Sequence, residues 1–188
     1  MAILRLDGPD WLDHVPRPLL DPGASDEVRM AWVVELVERQ VHERTGGPFA
    51  AAVFSGRSGE VLGCGVNRVE ATSACVAHAE VFALAEAGQA VGSYSLIGEA
   101  AVLVTSTEPC AMCLGAVGWS GVERVVCGAV DADARAIGFD EGDKPADWAT
   151  ALERRGITVA AGVHRARIRA VMDRYAVQGG TVYNAAPD

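Results

Sequence analysis

The chain has 188 residues, half of them apolar, with a formal net charge of -9 and five cysteines. That length suits one packed core, and the acidic balance disfavours nucleic-acid binding, which usually shows a basic footprint. No apolar run reaches the roughly 20 residues that a bilayer requires.

Residues 1–24 carry Pro9, Pro16, Pro18, Pro22 and Gly23, which predicts an irregular arm lying over the core, with one helical turn near Asp10 to His14. Ser25 followed by Asp26 and Glu27 is a helix start, and Val28, Ala31, Trp32, Leu36, Val37 and Val41 keep helical spacing up to Gly46-Gly47. Phe49 to Ser55 and Glu60 to Asn67 are apolar runs joined by Gly56-Arg57-Ser58-Gly59, a hairpin signal. Arg68 to Val76 reads as a loop leading into a helix that begins at His78 and stops near Gly92. Ala101 to Ser106 predicts a buried strand, Cys110 to Ser120 a helix, and Arg124 to Ala129 a second buried strand. Asp131 to Lys144 is a long acidic connection. A helix over Ala146 to Arg155, a strand over Ile157 to Gly162 and a helix over Arg165 to Gln178 follow, before an irregular tail at 179–188. Strands alternating with helices after an opening hairpin predict an α/β fold, a three-layer α/β/α sandwich around a mixed five-stranded sheet, in one domain spanning 1–188.

Two short pieces carry chemistry: Cys75-Val76-Ala77-His78-Ala79-Glu80 and Pro109-Cys110-Ala111-Met112-Cys113. His78, Cys110 and Cys113 supply three ligands for a tetrahedral zinc ion and leave a fourth position open, the mark of a catalytic site. Pro109 favours a helix start, whose positive end stabilises thiolates. Within a continuous helix His78 and Glu80 would point about 200° apart, so they share a pocket only at a helix start. Glu80 beside a zinc-activated water can take its proton and pass it to a leaving ammonia. H-x-E with P-C-x-x-C is the pattern of zinc-dependent nucleobase deaminases, with the Glu as general acid and base. Cys64, Cys75 and Cys127 sit among small or β-branched residues and read as buried structural thiols. The odd cysteine count and the absence of a signal-like start predict the cytoplasm.

The chain resembles the cytidine and deoxycytidylate deaminase superfamily, and within it the guanine deaminase branch, over roughly residues 26 to 184. The resemblance rests on Gly47-Pro48-Phe49, Asn67, His78-Ala79-Glu80-Val81, Glu108 to Ala116 and Gly138-Phe139-Asp140-Glu141. It implies a cytidine deaminase-like fold, one zinc ion on His78, Cys110 and Cys113, proton transfer by Glu80, a substrate amide contact from Asn67, and an acidic contact to the purine edge from Glu141, which is the second candidate catalytic residue as a proton relay to the leaving amine. Phe49, Ala77, Trp119 and Phe139 are further substrate-side candidates, and Tyr183 is a candidate lid residue in the tail. The resemblance also implies a homodimer paired through the metal-bearing helices, with Leu114, Ala116, Val117 and Trp119 as an apolar surface.

The expected reaction is guanine to xanthine and ammonia, with an aminotriazine, cytosine or guanosine as alternative small-molecule substrates. A tRNA adenosine deaminase would rely on Arg165, Arg167, Arg169 and Arg174, the one basic helix. A non-catalytic zinc-binding protein would have no use for Glu80.

Overall fold

The computed structural model describes residues 7–184; the outer ends of the predicted arm and tail lie outside the described residues. Five strands form one mixed sheet in the order β2-β1-β3-β4-β5, over Val61–Val66, Ala50–Phe54, Val102–Thr107, Arg124–Ala129 and Thr158–Ala160. β1 runs antiparallel to both β2 and β3, and β3, β4 and β5 run parallel to one another.

Both faces of this sheet are buried, and the period-two alternation of its strands sorts side chains into two layers. Ala50, Ala52 and Phe54 of β1, Val102 and Val104 of β3, and Val126 of β4 face α1 (Asp26–Glu43) and α7 (Arg165–Val177). Ala51, Val53, Leu103, Val125 and Cys127 face the layer of α3 (Ala79–Val91), α4 (Ala111–Ser120) and α6 (Trp148–Glu153). The hairpin register explains one close approach. A Cβ at Gly65 of β2 would stand 2.4 Å from the Ala79 carbonyl oxygen, so glycine there lets the first turn of α3 sit directly on the sheet. Small residues at Ala79, Ala83 and Ala87 continue the same contact.

The helix starts obey local chemistry. The Ser25 hydroxyl accepts from the Val28 N–H at 3.4 Å, and the chain leaves α1 through Arg44 in the left-handed region. Gly92 closes α3 with φ 67°, where the sequence expects the stop.

Two short helices were not anticipated, α2 (Val69–Thr72) and α5 (Asp131–Ala136). Neither carries an apolar stripe. α5 starts where the Asp133 carboxylate accepts from the Val130 N–H at 3.0 Å, a cap hidden inside an acidic run. β5 is shorter than expected, three residues.

The outer strand β2 is guarded. The Cys64 N–H of β2 donates to Glu86 Oε2 at 2.8 Å, and Arg17 of the arm pairs with Glu86 Oε1 at 2.6 Å. Leu20 of the arm also donates to the Gly59 carbonyl at 3.1 Å, next to the hairpin turn.

Candidate active site

His78 is the N-cap of α3 in extended conformation (φ -82°, ψ 154°), and Glu80 is the second residue of that helix. The extended backbone at His78 removes the 200° separation that a continuous helix would impose, so both side chains reach one cavity. Cys110 is likewise the extended N-cap of α4, with Cys113 in the first turn. Two helix N-termini therefore converge where anionic sulfur is favoured.

His78 Nδ1 lies 3.5 Å from Cys110 Sγ and 3.6 Å from Cys113 Sγ, and all three ligand atoms fall within 4.8 Å of one another. Tetrahedral zinc, with bonds of about 2.3 Å to sulfur and about 2.0 Å to nitrogen, holds a nitrogen and a sulfur about 3.5 Å apart. The donor set and its spacing fit that ion. The charges fit as well. Hydrogen bonding from Cys113 holds the Cys110 thiol down to about 4, while the same bond and burial push Cys113 far up. Two adjacent thiolates repel each other, and a bound dication would offset that repulsion.

Glu80 is 7% exposed, accepts from Thr105 Oγ1 at 3.2 Å and meets Cys113 Sγ at 3.4 Å. Burial, reinforced by the charge of Cys110, raises its carboxyl above the usual carboxylate range. Glu141 is equally enclosed at 6% exposure, and the same two influences push it up to about 8. Both acids, His78 and Cys110 line one cavity of about 390 Å³, within the range of small-ligand sites.

Asn67, Phe49, Phe139 and Tyr183 line this cavity too. Phe139 stands edge-on to Phe49 at 4.9 Å and to Tyr183 at 5.0 Å, giving the pocket an aromatic wall. A Cβ at Gly47 would meet the Tyr183 hydroxyl at 2.4 Å, so the bare backbone there makes room for the tail. The Tyr183 hydroxyl is buried without a hydrogen-bond partner. Asn184 fastens the tail to the Glu141 loop: its Oδ1 accepts from the Asp140 N–H at 2.9 Å, and its Nδ2 donates to the Gly138 carbonyl at 3.0 Å.

Four expectations require correction. Trp119 is 84% exposed and borders a separate depression with Val81, Leu84 and Tyr94. It lies six residues beyond Cys113, about 240° around the helix, so it cannot face the same cavity. Ala77 is fully buried and absent from the cavity wall, because extended backbone turns it to the side opposite His78. Cys75 is exposed and lines the pocket, where a buried thiol was expected. The apolar surface assigned to α4 also loses Val117, which is fully buried in the core. Sequence reasoning missed Thr105, Thr107 and Asn184 as parts of the site; a polar residue within an otherwise apolar buried strand was the available signal for the two threonines.

No helix among the described residues is long and apolar enough to cross a membrane. The family profile described as the cytidine and deoxycytidylate deaminase zinc-binding region matches residues 24–129. The guanine deaminase of Bacillus subtilis (strain 168) is 37% identical over 130 residues, covering 66% of this chain and 81% of that protein. A solved structure of guanine deaminase from Nitrosomonas europaea superposes with a TM-score of 0.87 at 42% identity, covering 93% of this chain and 97% of the other. A tRNA-specific adenosine deaminase of Bacillus subtilis (strain 168) is 43% identical over 106 residues, 56% of this chain and 63% of that protein.

Proposed function

Because the chain belongs to the cytidine and deoxycytidylate deaminase family, we propose that it hydrolyses guanine to xanthine and ammonia as a zinc-dependent deaminase, with one ion per chain. The observation that carries this reading is the enclosure of Glu80 and Glu141 with the His78, Cys110 and Cys113 cluster around one cavity. Bound zinc supplies the Lewis acidity that makes water a nucleophile near neutral pH. Glu80, oriented by the Thr105 hydroxyl, takes a proton from the attacking water and delivers it to the departing amino nitrogen. Phe49, Phe139 and Tyr183 enclose the ring, and Asn67 and Glu141 bind its polar edges.

Ammonia release and product spectra from a panel of guanine, guanosine, cytosine, cytidine, adenine and aminotriazines test the assignment. Guanine should be turned over fastest, and activity confined to another member of the panel overturns guanine as the substrate. A tRNA substrate finds little support. Arg165 and Arg169 contact Asp133 at 2.8 and 3.3 Å, and Arg167 contacts Glu38 at 3.2 Å, so the basic helix is largely neutralised by the protein itself.

A carboxylate at Glu141 can accept from the exocyclic amino group and the adjacent ring N–H of guanine together. Glu141→Ala leaves those donors unpaired, at a cost of about 1–3 kcal/mol, or roughly 5- to 150-fold in kcat/KM. Steady-state kinetics with zinc content measured in parallel should show that loss with the metal intact. Wild-type kinetics would remove Glu141 from substrate binding.

The reading includes a homodimer. Trp119 and Tyr94 are 84 and 97% exposed and line the same depression, together with residues of α3 and α4. Exposed aromatic area of this kind is usually covered. Light scattering at micromolar concentration should report a dimer, and Trp119→Glu a monomer; a monomeric wild-type protein contradicts this. We also read residues 1–188 as one domain, working in the cytoplasm, where thiols stay reduced.

A further inference from the structure

Lys144 is the sole lysine in the chain, beside fifteen arginines, and it is not on the surface. Its side chain is 7% exposed. Nζ donates to Glu108 Oε2 at 3.2 Å, stands 3.1 Å from Asp131 Oδ1, and lies 5.3 Å from the centre of the Trp148 ring. The Asp131 contact is an ion pair off the hydrogen-bond direction, and Asp131 Oδ1 has no other partner among the described residues. Glu108 Oε2 also accepts from the Asp131 N–H at 3.1 Å. One ammonium thus bridges two carboxylates from two different loops, with a ring on its remaining side, while Arg135 pairs with the other oxygen of Asp131 at 2.6 Å. A compact point charge with three donors suits that space, where the planar fork of arginine does not.

Connectivity gives this cluster its meaning. Glu108 immediately precedes Pro109 and Cys110, and Lys144 follows Glu141 by three residues. The Ala111 N–H bonds to the Glu141 carbonyl at 3.0 Å, and Arg135 Nη2 to the Gly142 carbonyl at 2.9 Å, so the Glu141 loop is held from two sides. Both of those bonds grip backbone. The Lys144 pair is the side-chain tie between the loop bearing Glu141 and the loop bearing Cys110. Exposed ion pairs contribute little, but this one is enclosed on both partners, at 7 and 14% exposure, and loss of one partner strands a buried charge.

We infer that Lys144 is a positioning residue, whose pair with Glu108 sets where the Glu141 carboxylate stands relative to the metal ligands and thereby fixes how the substrate seats. The substrate part rests on the guanine reading above; the loop part does not. The test compares Lys144→Met and Lys144→Arg with wild type in zinc content, guanine kinetics, and amide hydrogen exchange over residues 138–143. Both variants should keep zinc and exchange those amides at least tenfold faster, with KM raised roughly 10- to 100-fold and kcat changed less, as expected for misplacement of a binding group. Arginine should not rescue, because charge alone does not restore the geometry. Exchange and KM within twofold of wild type in Lys144→Arg overturn the inference, whether or not the methionine variant folds. Hydrogen exchange needs no substrate. If wild type fails to act on guanine while the variants still loosen the loop, the guanine reading falls and the positioning role stands.

Discussion

Glu80→Gln should retain zinc, fold and quaternary state while losing about 10³- to 10⁴-fold in kcat, the upper part of the range for general acid–base groups. Glutamine fills the same volume between Thr105 and Cys113 and can still accept the Thr105 hydrogen bond, so the architecture has no reason to change. What it cannot do is accept a proton and release it. The hydrolysis needs proton movement at two moments, on attack and on departure of ammonia, and Glu80 sits between Cys113 and the cavity. That double duty places the expected loss at the top of the range. Steady-state rates with parallel metal analysis decide the matter, and turnover within tenfold of wild type removes Glu80 from the proton path.

Cys110→Ala should abolish activity by a different route, through loss of the metal. Disturbing an outer-shell partner costs about 10- to 100-fold in metal affinity, and a direct thiolate ligand contributes more than that. The fold should survive, since its two core layers do not depend on the cluster, but the protein forgoes the linkage energy of a bound ion. At a free-metal level 1,000 times the dissociation constant that energy is about 4 kcal/mol. For a domain of this size each kcal/mol moves Tm by about 2–4 °C, so the variant should melt about 8–16 °C below the zinc-loaded protein. Chelation of wild type should reproduce both effects, and Cys64→Ala, which touches the far layer, should keep its zinc. Undiminished zinc in Cys110→Ala excludes the ligand assignment.

Much of this was legible in the residues. The strand–helix alternation, the hairpin and the stop at Gly92 follow from periodicity and glycine placement, and β4 matches its expected span, Arg124–Ala129. The candidate metal triad was legible because zinc chemistry requires specific residue types at helix starts. What escaped was anything that depends on direction. Trp119 shares a helix with two ligands but points away from them, and Ala77 adjoins one ligand on the opposite side of an extended chain. α5 escaped because its cap, Asp133, is one acid among many in an acidic stretch. The Lys144 cluster joins residues 36 positions apart, which no local pattern can announce.

The guarded margin at β2 and the short one at β5 bear on how copies of the chain can meet. An open strand margin offers unpaired backbone groups as a template for another chain, the usual entry to sheet extension and fibrous aggregation. Here β5 is too short to serve as a long template, and at β2 the Glu86 carboxylate already occupies the Cys64 N–H, with Arg17 holding that carboxylate in place. A second copy therefore has little to gain by adding strands edge to edge at these margins. The dimer proposed above, closed over a helical face, would terminate at two and leave no open end for further growth.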